Sequence, residues 1–194
     1  MAPTRTETTV RPNTTAEAVT DTVAEVVGRA CDAAPGWRAT APGERAGHLR
    51  AAAARVRESA DELGELLCRT TGRLLGEATA SARVAADLLD EAAVTGLSGG
   101  RALAGGPGTL DLVRTEPRGV VGVITPWNDP YPAAVGLLAA ALVTGNVVVH
   151  KPSERSAAPG RMLTDLVASC LPEGVLGVVE GGADAGAALA SQEG

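Results

Sequence analysis

Arg118-Gly119-Val120-Val121-Gly122-Val123-Ile124-Thr125-Pro126-Trp127-Asn128-Asp129-Pro130 is the stretch whose reading decides the fold. Val120, Val121, Val123 and Ile124 form a short β-branched run between Gly119 and Pro126, which predicts a strand buried on both faces. Such a strand needs a layer on each side of it. Trp127, Asn128 and Asp129 follow between two prolines that fix φ and forbid continuation of either strand or helix. Side chains held that stiffly at a strand's C-terminal end occupy the place where open α/β sheets bind ligands. Taken as a tripeptide alone, the same residues make Asn128 a turn residue that caps the next helix.

Downstream, the pattern predicts a helix from about Pro132 to Val143, closed by Gly145. Val147, Val148 and Val149 make a second continuous strand, ending in His150-Lys151-Pro152-Ser153-Glu154. A helix from about Ala158 to Cys170 leads through Leu171 and Pro172 to a third strand, Val175 to Val179. Gly181 and Gly182 then open a last helix ending near Ser191. The order is β-α-β-α-β-α, and right-handed crossovers turn it into a parallel sheet with helices on both faces. All three strands then deliver their C-terminal ends to one edge: Asn128, then Lys151 and Glu154, then Gly181 and Gly182. Alone, Lys151 reads as a solvated charge and Glu154 as a helix-start residue. Together at that edge they set a cation and a carboxylate where ribose hydroxyls would lie. No G-x-G-x-x-G occurs, so a standard Rossmann fingerprint is not supported.

Upstream the texture is helical. Thr14 and Glu17 form a capping box, and Val19, Val23, Val26, Val27 and Ala30 give a first amphipathic helix to about Ala33, behind a flexible tail of residues 1–13. Pro35, Gly36, Pro42 and Gly43 mark a turn, after which Ala46, Leu49, Ala53 and Val56 define a second helix with arginines on its solvated side. Ser59 and Glu62 make a capping box for a third helix carrying Leu63, Leu66 and Leu67, stopped by Gly72. Ala80, Val84, Leu88 and Leu89 define a fourth helix ending near Gly96. The glycines from Gly99 to Gly108 break the helical pattern and fit hairpin geometry, with a short strand from Leu110 to Thr115.

Hydrophobic residues make up 45% of the 194 residues and charged residues 21%, with a net charge of −6. That is a globular composition with neither nucleic acid nor an anionic membrane as an evident partner. Phe is absent, so Ala, Val and Leu must fill the core and helices must pack closely. Residues 1–13 carry no apolar segment of a secretory signal, and no long apolar span occurs, which makes the cytoplasm the expected location. Cys31, Cys68 and Cys170 lack the spacing of a metal site and are expected to be reduced, inert, mostly buried helical residues.

Pro117-Arg-Gly-Val-Val-Gly-Val-Ile-Thr-Pro-Trp-Asn, Gly145-Asn146 and Lys151-Pro-Ser-Glu resemble, in that order and spacing, the aldehyde dehydrogenase family. Trp37, Glu44, Arg45, the helix around Leu63 to Gly72 and the segment Leu176 to Gly186 extend the likeness to nearly everything from Val19 onward. The resemblance implies an α/β fold, with N-terminal helices followed by a Rossmann-like parallel sheet that is incomplete relative to the full family fold. It makes residues 14–194 an NAD-binding portion and 98–113 an oligomerisation arm.

By the same resemblance, Asn128 donates a side-chain N–H to the oxyanion formed when a cysteine thiolate attacks an aldehyde carbonyl, a contribution worth about 3 kcal/mol of barrier. Lys151 and Glu154 hold the adenosine ribose of a nicotinamide dinucleotide. The backbone of Ile124, Thr125, Pro126 and Trp127 lines the cleft, and Ser153 and Gly181 complete the cofactor-binding set. A carboxylate at Glu154 accepts from a free 2′-hydroxyl and repels a 2′-phosphate, favouring NAD over NADP.

Two residues depart from the family pattern. Asp129 puts a carboxylate beside the aldehyde site, where it is expected to oppose the oxyanion and compete for the Asn128 donor. His150 replaces an aliphatic strand end and is expected to be a packed or hydrogen-bonded edge residue. The family's nucleophilic cysteine and general-base glutamate fall beyond Gly194, and none of the three cysteines matches the nucleophile, so no aldehyde oxidation is expected of this polypeptide alone. The alternative is a non-catalytic binding module that pairs with a partner chain. In either case exposed apolar surface should drive association, as a homo-oligomer or with a complementary chain.

Overall fold

The computed structural model describes residues 16–96, 101–113 and 115–192. The capping box expected at Thr14, the tail 1–13 and the start of the arm at Ser98 fall outside the described residues. Four helices come first: α1 (Ala16–Ala39), α2 (Pro42–Glu58), α3 (Ala60–Thr71) and α4 (Leu75–Thr95). Val23, Val26, Val27 and Ala30 give α1 one buried stripe. The helix does not stop near Ala33 but runs through Pro35 and Gly36, where a turn was expected. Trp37 is the reason. It is fully buried and its indole N–H donates to the Leu142 carbonyl at 3.0 Å. A proline inside a helix costs about 3 kcal/mol, and losing a buried tryptophan costs about 3–5 kcal/mol, so tertiary packing decides. Pro42 opens α2 rather than ending a turn, which its missing N–H permits in a first turn.

Ser59 does not form the expected capping box. It ends α2 and starts α3 at once, and with its backbone N–H bonded to Arg55 O at 3.2 Å it sits at φ −92° and ψ 8°, outside the extended N-cap geometry. The stop at Gly72 does form, with its N–H bonded to Cys68 O at 2.9 Å. One arginine of α2 turns inward, against expectation: Arg45 is buried, and its Nε donates to Val143 O at 2.9 Å and its Nη1 to Thr40 O. It satisfies carbonyls at the C-terminal ends of two helices.

The buried face of α4 is Ala78, Ser81, Ala82, Ala85, Ala86, Leu89 and Ala93, while Ala80 and Val84 are exposed. The expected stripe is displaced because α3 and α4 approach too closely for a branched face. A Cβ on Gly64 of α3 would stand 2.9 Å from the Thr79 backbone.

A two-stranded antiparallel hairpin follows, β1 (Arg101–Ala104) with β2 (Leu110–Val113), turning through Gly106 and Gly108. All four residues of β2 are exposed, Leu110 and Leu112 among them. Then come β3 (Val120–Ile124), α5 (Pro130–Val143), β4 (Val147–Lys151), a 3-10 turn (Glu154–Ser156), α6 (Ala157–Ala168), β5 (Leu176–Val178) and α7 (Ala183–Ala190). The strands are parallel in the order β3-β4-β5, with Ile124 beside Lys151 and His150 beside Val178. Helices α5 and α6 cover one face, α1 and α7 the other.

The two-faced burial expected of β3 belongs to β4, all five of whose residues are buried. In β3 only Val123 is, because β3 is an edge of this sheet and Gly122 and Ile124 remain exposed. Cys31 is exposed on α1, and Cys170 lies in the turn after α6 rather than in the helix. Among the described residues no helix is long and apolar enough to cross a membrane.

Replacing Gly64 with alanine forces the α3–α4 pair apart, since the obstructing Thr79 atoms include backbone. Gly64→Ala is expected to lower unfolding free energy by about 1–3 kcal/mol, read from urea titrations by circular dichroism.

Candidate functional site

The C-terminal ends of β3 and β4 are tied together by polar groups withdrawn from water. The Thr125 N–H donates to Lys151 O at 3.2 Å, continuing the strand pairing one residue beyond β3. Its buried hydroxyl lies 2.9 Å from Nε2 of His150, whose Nδ1 lies 2.7 Å from the Thr164 hydroxyl. Thr164 gives its one proton to Gly160 O at 2.8 Å. That leaves one consistent assignment: Nδ1 carries hydrogen and donates to Thr164, and Nε2 accepts from Thr125. His150 is therefore a neutral link in the middle strand, hydrogen-bonded as expected but fully buried rather than at an edge. Burial, and secondarily the charge of Lys151, push its pKa down to about 4.

Beyond Thr125 the chain comes into solvent. Pro126 is exposed, and the Trp127 ring, 43% exposed, lies under the Arg155 guanidinium at 5.5 Å. The Asn128 side chain is exposed and has no hydrogen-bond partner among the described residues. Asp129 stands at the N-cap of α5 with φ −142° and ψ 70°, and no side-chain bond caps the helix, so the capping role open to Asn128 is not realised. Contrary to the expectation from sequence, the Asp129 carboxylate does not compete for the Asn128 amide. Its Oδ1 accepts from Arg73 Nη1 and from Ser81 Oγ, both at 2.6 Å. Arg73 also donates to the Asn128 carbonyl at 3.4 Å. Two residues on, the buried Tyr131 hydroxyl donates to Leu63 O at 2.7 Å, and burial raises its pKa.

Lys151 is 4% exposed, with its stem against Ile124 and the Gly186 turn of α7. Its Nζ donates to Pro152 O at 3.1 Å and lies 3.9 Å from Glu154 Oε2 on a side chain 59% exposed. An ammonium has three donors. One goes to Pro152 and the carboxylate is a long contact, so the group retains capacity toward the rim. Ser153 Oγ accepts from Arg155 N–H at 3.3 Å and starts the 3-10 turn. Gly181, at φ 144°, leaves no room for a Cβ, which would stand 2.7 Å from Ala185. Its bare backbone leads into α7. Ile124 is half exposed beside Lys151.

The structure thus brings Ile124, Lys151, Glu154 and α7 together on one side of the sheet edge and presents Trp127 and Asn128 at the exit of β3. It brings no cysteine there: Cys31 is exposed on α1, and Cys68 and Cys170 pack against the core. A cavity of about 560 Å³ lies at the other end of the strands, lined by Leu88, Thr95, Arg118 and Asn146. Arg73, Ser81, Arg155 and Thr164 are contributors that sequence reasoning missed. The one available signal was Ser81, a polar residue at a core position of an alanine-rich helix.

A sequence model of the aldehyde dehydrogenase family matches residues 2–194, and the chain belongs to that family. Vanillin dehydrogenase of Amycolatopsis sp. is 39% identical over 164 residues, 83% of this chain and 34% of that enzyme. The crystal structure of PnpE in complex with nicotinamide adenine dinucleotide matches with a TM-score of 0.85 and 30% identity, over 89% of this chain and 36% of the other. NADP-dependent glyceraldehyde-3-phosphate dehydrogenase from Bacillus halodurans, complexed with NADP, matches with a TM-score of 0.83 and 31% identity, over 88% of this chain and 38% of the other. The chain spans about a third of the length of the relatives it matches.

The buried imidazole makes stability depend on pH. Unfolded, His150 takes a proton near pH 6.5; folded, only near pH 4. As pH falls through that window the unfolded state alone gains a proton, so about 3 kcal/mol of stability is lost between pH 7 and pH 4. Urea midpoints should drop accordingly, and His150→Leu should lack that component of the drop.

Proposed function

We propose that this chain forms the dinucleotide-holding edge and supplies the oxyanion donor of an aldehyde dehydrogenase, which oxidises an aldehyde to a carboxylic acid with NAD. The observation that carries the reading is Lys151. Its ammonium is almost wholly buried at the sheet edge with one short acceptor, beside an exposed carboxylate on Glu154. Ribose hydroxyls fit both: they accept from the ammonium and donate to the carboxylate. The bare backbone at Gly181 allows a ligand to approach the entry to α7. The residues present therefore fit a nicotinamide dinucleotide, with Ile124, Thr125, Pro126, Trp127 and Ser153 lining the same rim. Bound there, that group accepts the hydride of the reaction.

Glu154 favours NAD, since a 2′-phosphate would meet its carboxylate. The Asn128 amide is free to donate to a carbonyl oxygen that gains negative charge when a thiolate attacks the aldehyde. Cys31, Cys68 and Cys170 are not placed to be that thiolate, so it comes from a further segment or a partner chain, and these 194 residues alone are inactive. The exposed leucines of the β1–β2 hairpin, Leu103, Leu110 and Leu112, suit burial against a second copy or that partner. A non-catalytic module that pairs with a partner chain is the alternative; it rests on Asp129 and on the missing nucleophile, and of these two grounds the Asp129 carboxylate is engaged by Arg73 and Ser81.

Calorimetric titration of NAD into the chain tests this reading. Saturable binding is expected, weakened at least tenfold by Lys151→Ala, which is about 1.4 kcal/mol. Glu154→Gln should narrow the preference for NAD over NADP. The reading fails if the folded, unmodified chain takes up no NAD, or if Lys151→Ala binds as well.

A further inference from the structure

The loop between β3 and α5 presents the Asn128 amide to solvent, so the direction of that amide depends on how the backbone is held. On the β3 side the last fixed point is Thr125; on the α5 side Tyr131 is anchored to α3. Between them the only side chain turned back into the protein by hydrogen bonds is Asp129. Its carboxylate reaches the turn between α3 and α4 and the second turn of α4, from which Arg73 Nη1 and Ser81 Oγ both donate to Oδ1 at 2.6 Å. The same Arg73 nitrogen reaches the Asn128 carbonyl at 3.4 Å, so one guanidinium ties the donor's own peptide and its neighbour's side chain. Arg73 is only 27% exposed, and its Nε also faces Glu77 at 3.7 Å. Ser81 is buried in an otherwise apolar face of α4, and this carboxylate is the partner its hydroxyl has. A bond this short to a buried hydroxyl, next to a half-covered ion pair, is of the charge-assisted kind that holds geometry.

From this arrangement we infer that Arg73 and Ser81 are positioning residues for Asn128, and that Arg73 also neutralises a carboxylate standing next to the place where negative charge develops. The inference rests on the reading of Asn128 above. It carries a sign that a purely mechanical brace would not. If Arg73 only held the loop, removing either partner of the Arg73–Asp129 pair, or both, would do equal harm. If it also offsets charge, Arg73→Gln is the worse change, because it leaves an unpaired carboxylate beside the oxyanion, and adding Asp129→Asn relieves it.

The chain holds two tryptophans, so fluorotryptophan labelling gives two fluorine resonances, assigned with Trp127→Phe. Arg73→Gln is expected to shift or broaden the Trp127 resonance and leave that of Trp37 unchanged. A Trp127 resonance identical in both proteins overturns the inference. Adding NAD to the unmodified chain should move the Trp127 resonance; if it does not, the cofactor reading falls while the Arg73 comparison still judges the brace. In a preparation competent for aldehyde oxidation, with the thiolate-bearing segment present, Arg73→Gln should lower kcat about tenfold or more with little change in the KM for NAD. Arg73→Lys should retain most of the rate. The Arg73→Gln, Asp129→Asn pair should recover part of what Arg73→Gln loses, the part due to the unpaired charge; a double variant no better than the single one overturns the charge argument.

Discussion

Between Thr125 and Tyr131 the chain leaves a sheet, passes two prolines and enters a helix, and each fixed point on that passage is a polar group satisfied inside the protein. Thr125 is held by Lys151 and His150, Asp129 by Arg73 and Ser81, and Tyr131 by Leu63. A buried donor or acceptor without a partner costs about 1–3 kcal/mol, so no single anchor slips without exposing the cost of another. The loop is stiff because its ends are wet chemistry placed in dry surroundings. What it leaves outside, Trp127 and Asn128, is what a ligand can meet.

The N-terminal helices are thereby part of the site. Gly64 lets α4 close on α3, which puts Ser81 and Arg73 within reach of the loop, and Leu63 of α3 receives the Tyr131 hydroxyl. On the other face α1 covers β4 and α7 packs on β3 with Gly186 beside the Lys151 stem, so that Lys151 can keep a buried stem and an ammonium at the rim. Charge is arranged in two pairs at this edge. Lys151 with Glu154 is loose, at 3.9 Å, and able to exchange partners; Arg73 with Asp129 is tight, at 2.6 Å, and occupied. The loose pair suits ligand binding and the tight one suits support.

Helix and strand identity was legible along most of the chain, because apolar period and glycine stops are local properties. The reading went wrong where distant packing outweighed a local signal. Pro35 and Gly36 stay helical since Trp37 must reach Leu142. Ser59 cannot cap because it belongs to two helices at once. On α4 the stripe through Val84 was outranked by a face of alanines, since only small residues allow the approach to α3.

By itself the sequence determined the β-α-β-α-β-α order, the parallel sheet, and which strand ends carry Asn128, Lys151, Glu154 and Gly181, since each follows from residues close together in the chain. Only the tertiary structure decided that β4 rather than β3 is the enclosed strand, that His150 is a neutral buried link, and that the Asp129 carboxylate faces Arg73 instead of the Asn128 amide. Those outcomes depend on partners tens of residues away: Thr125 lies 25 residues from His150, and Arg73 56 residues from Asp129. A side chain's charge and hydrogen bonds are set by what folding brings beside it, and no local pattern encodes that.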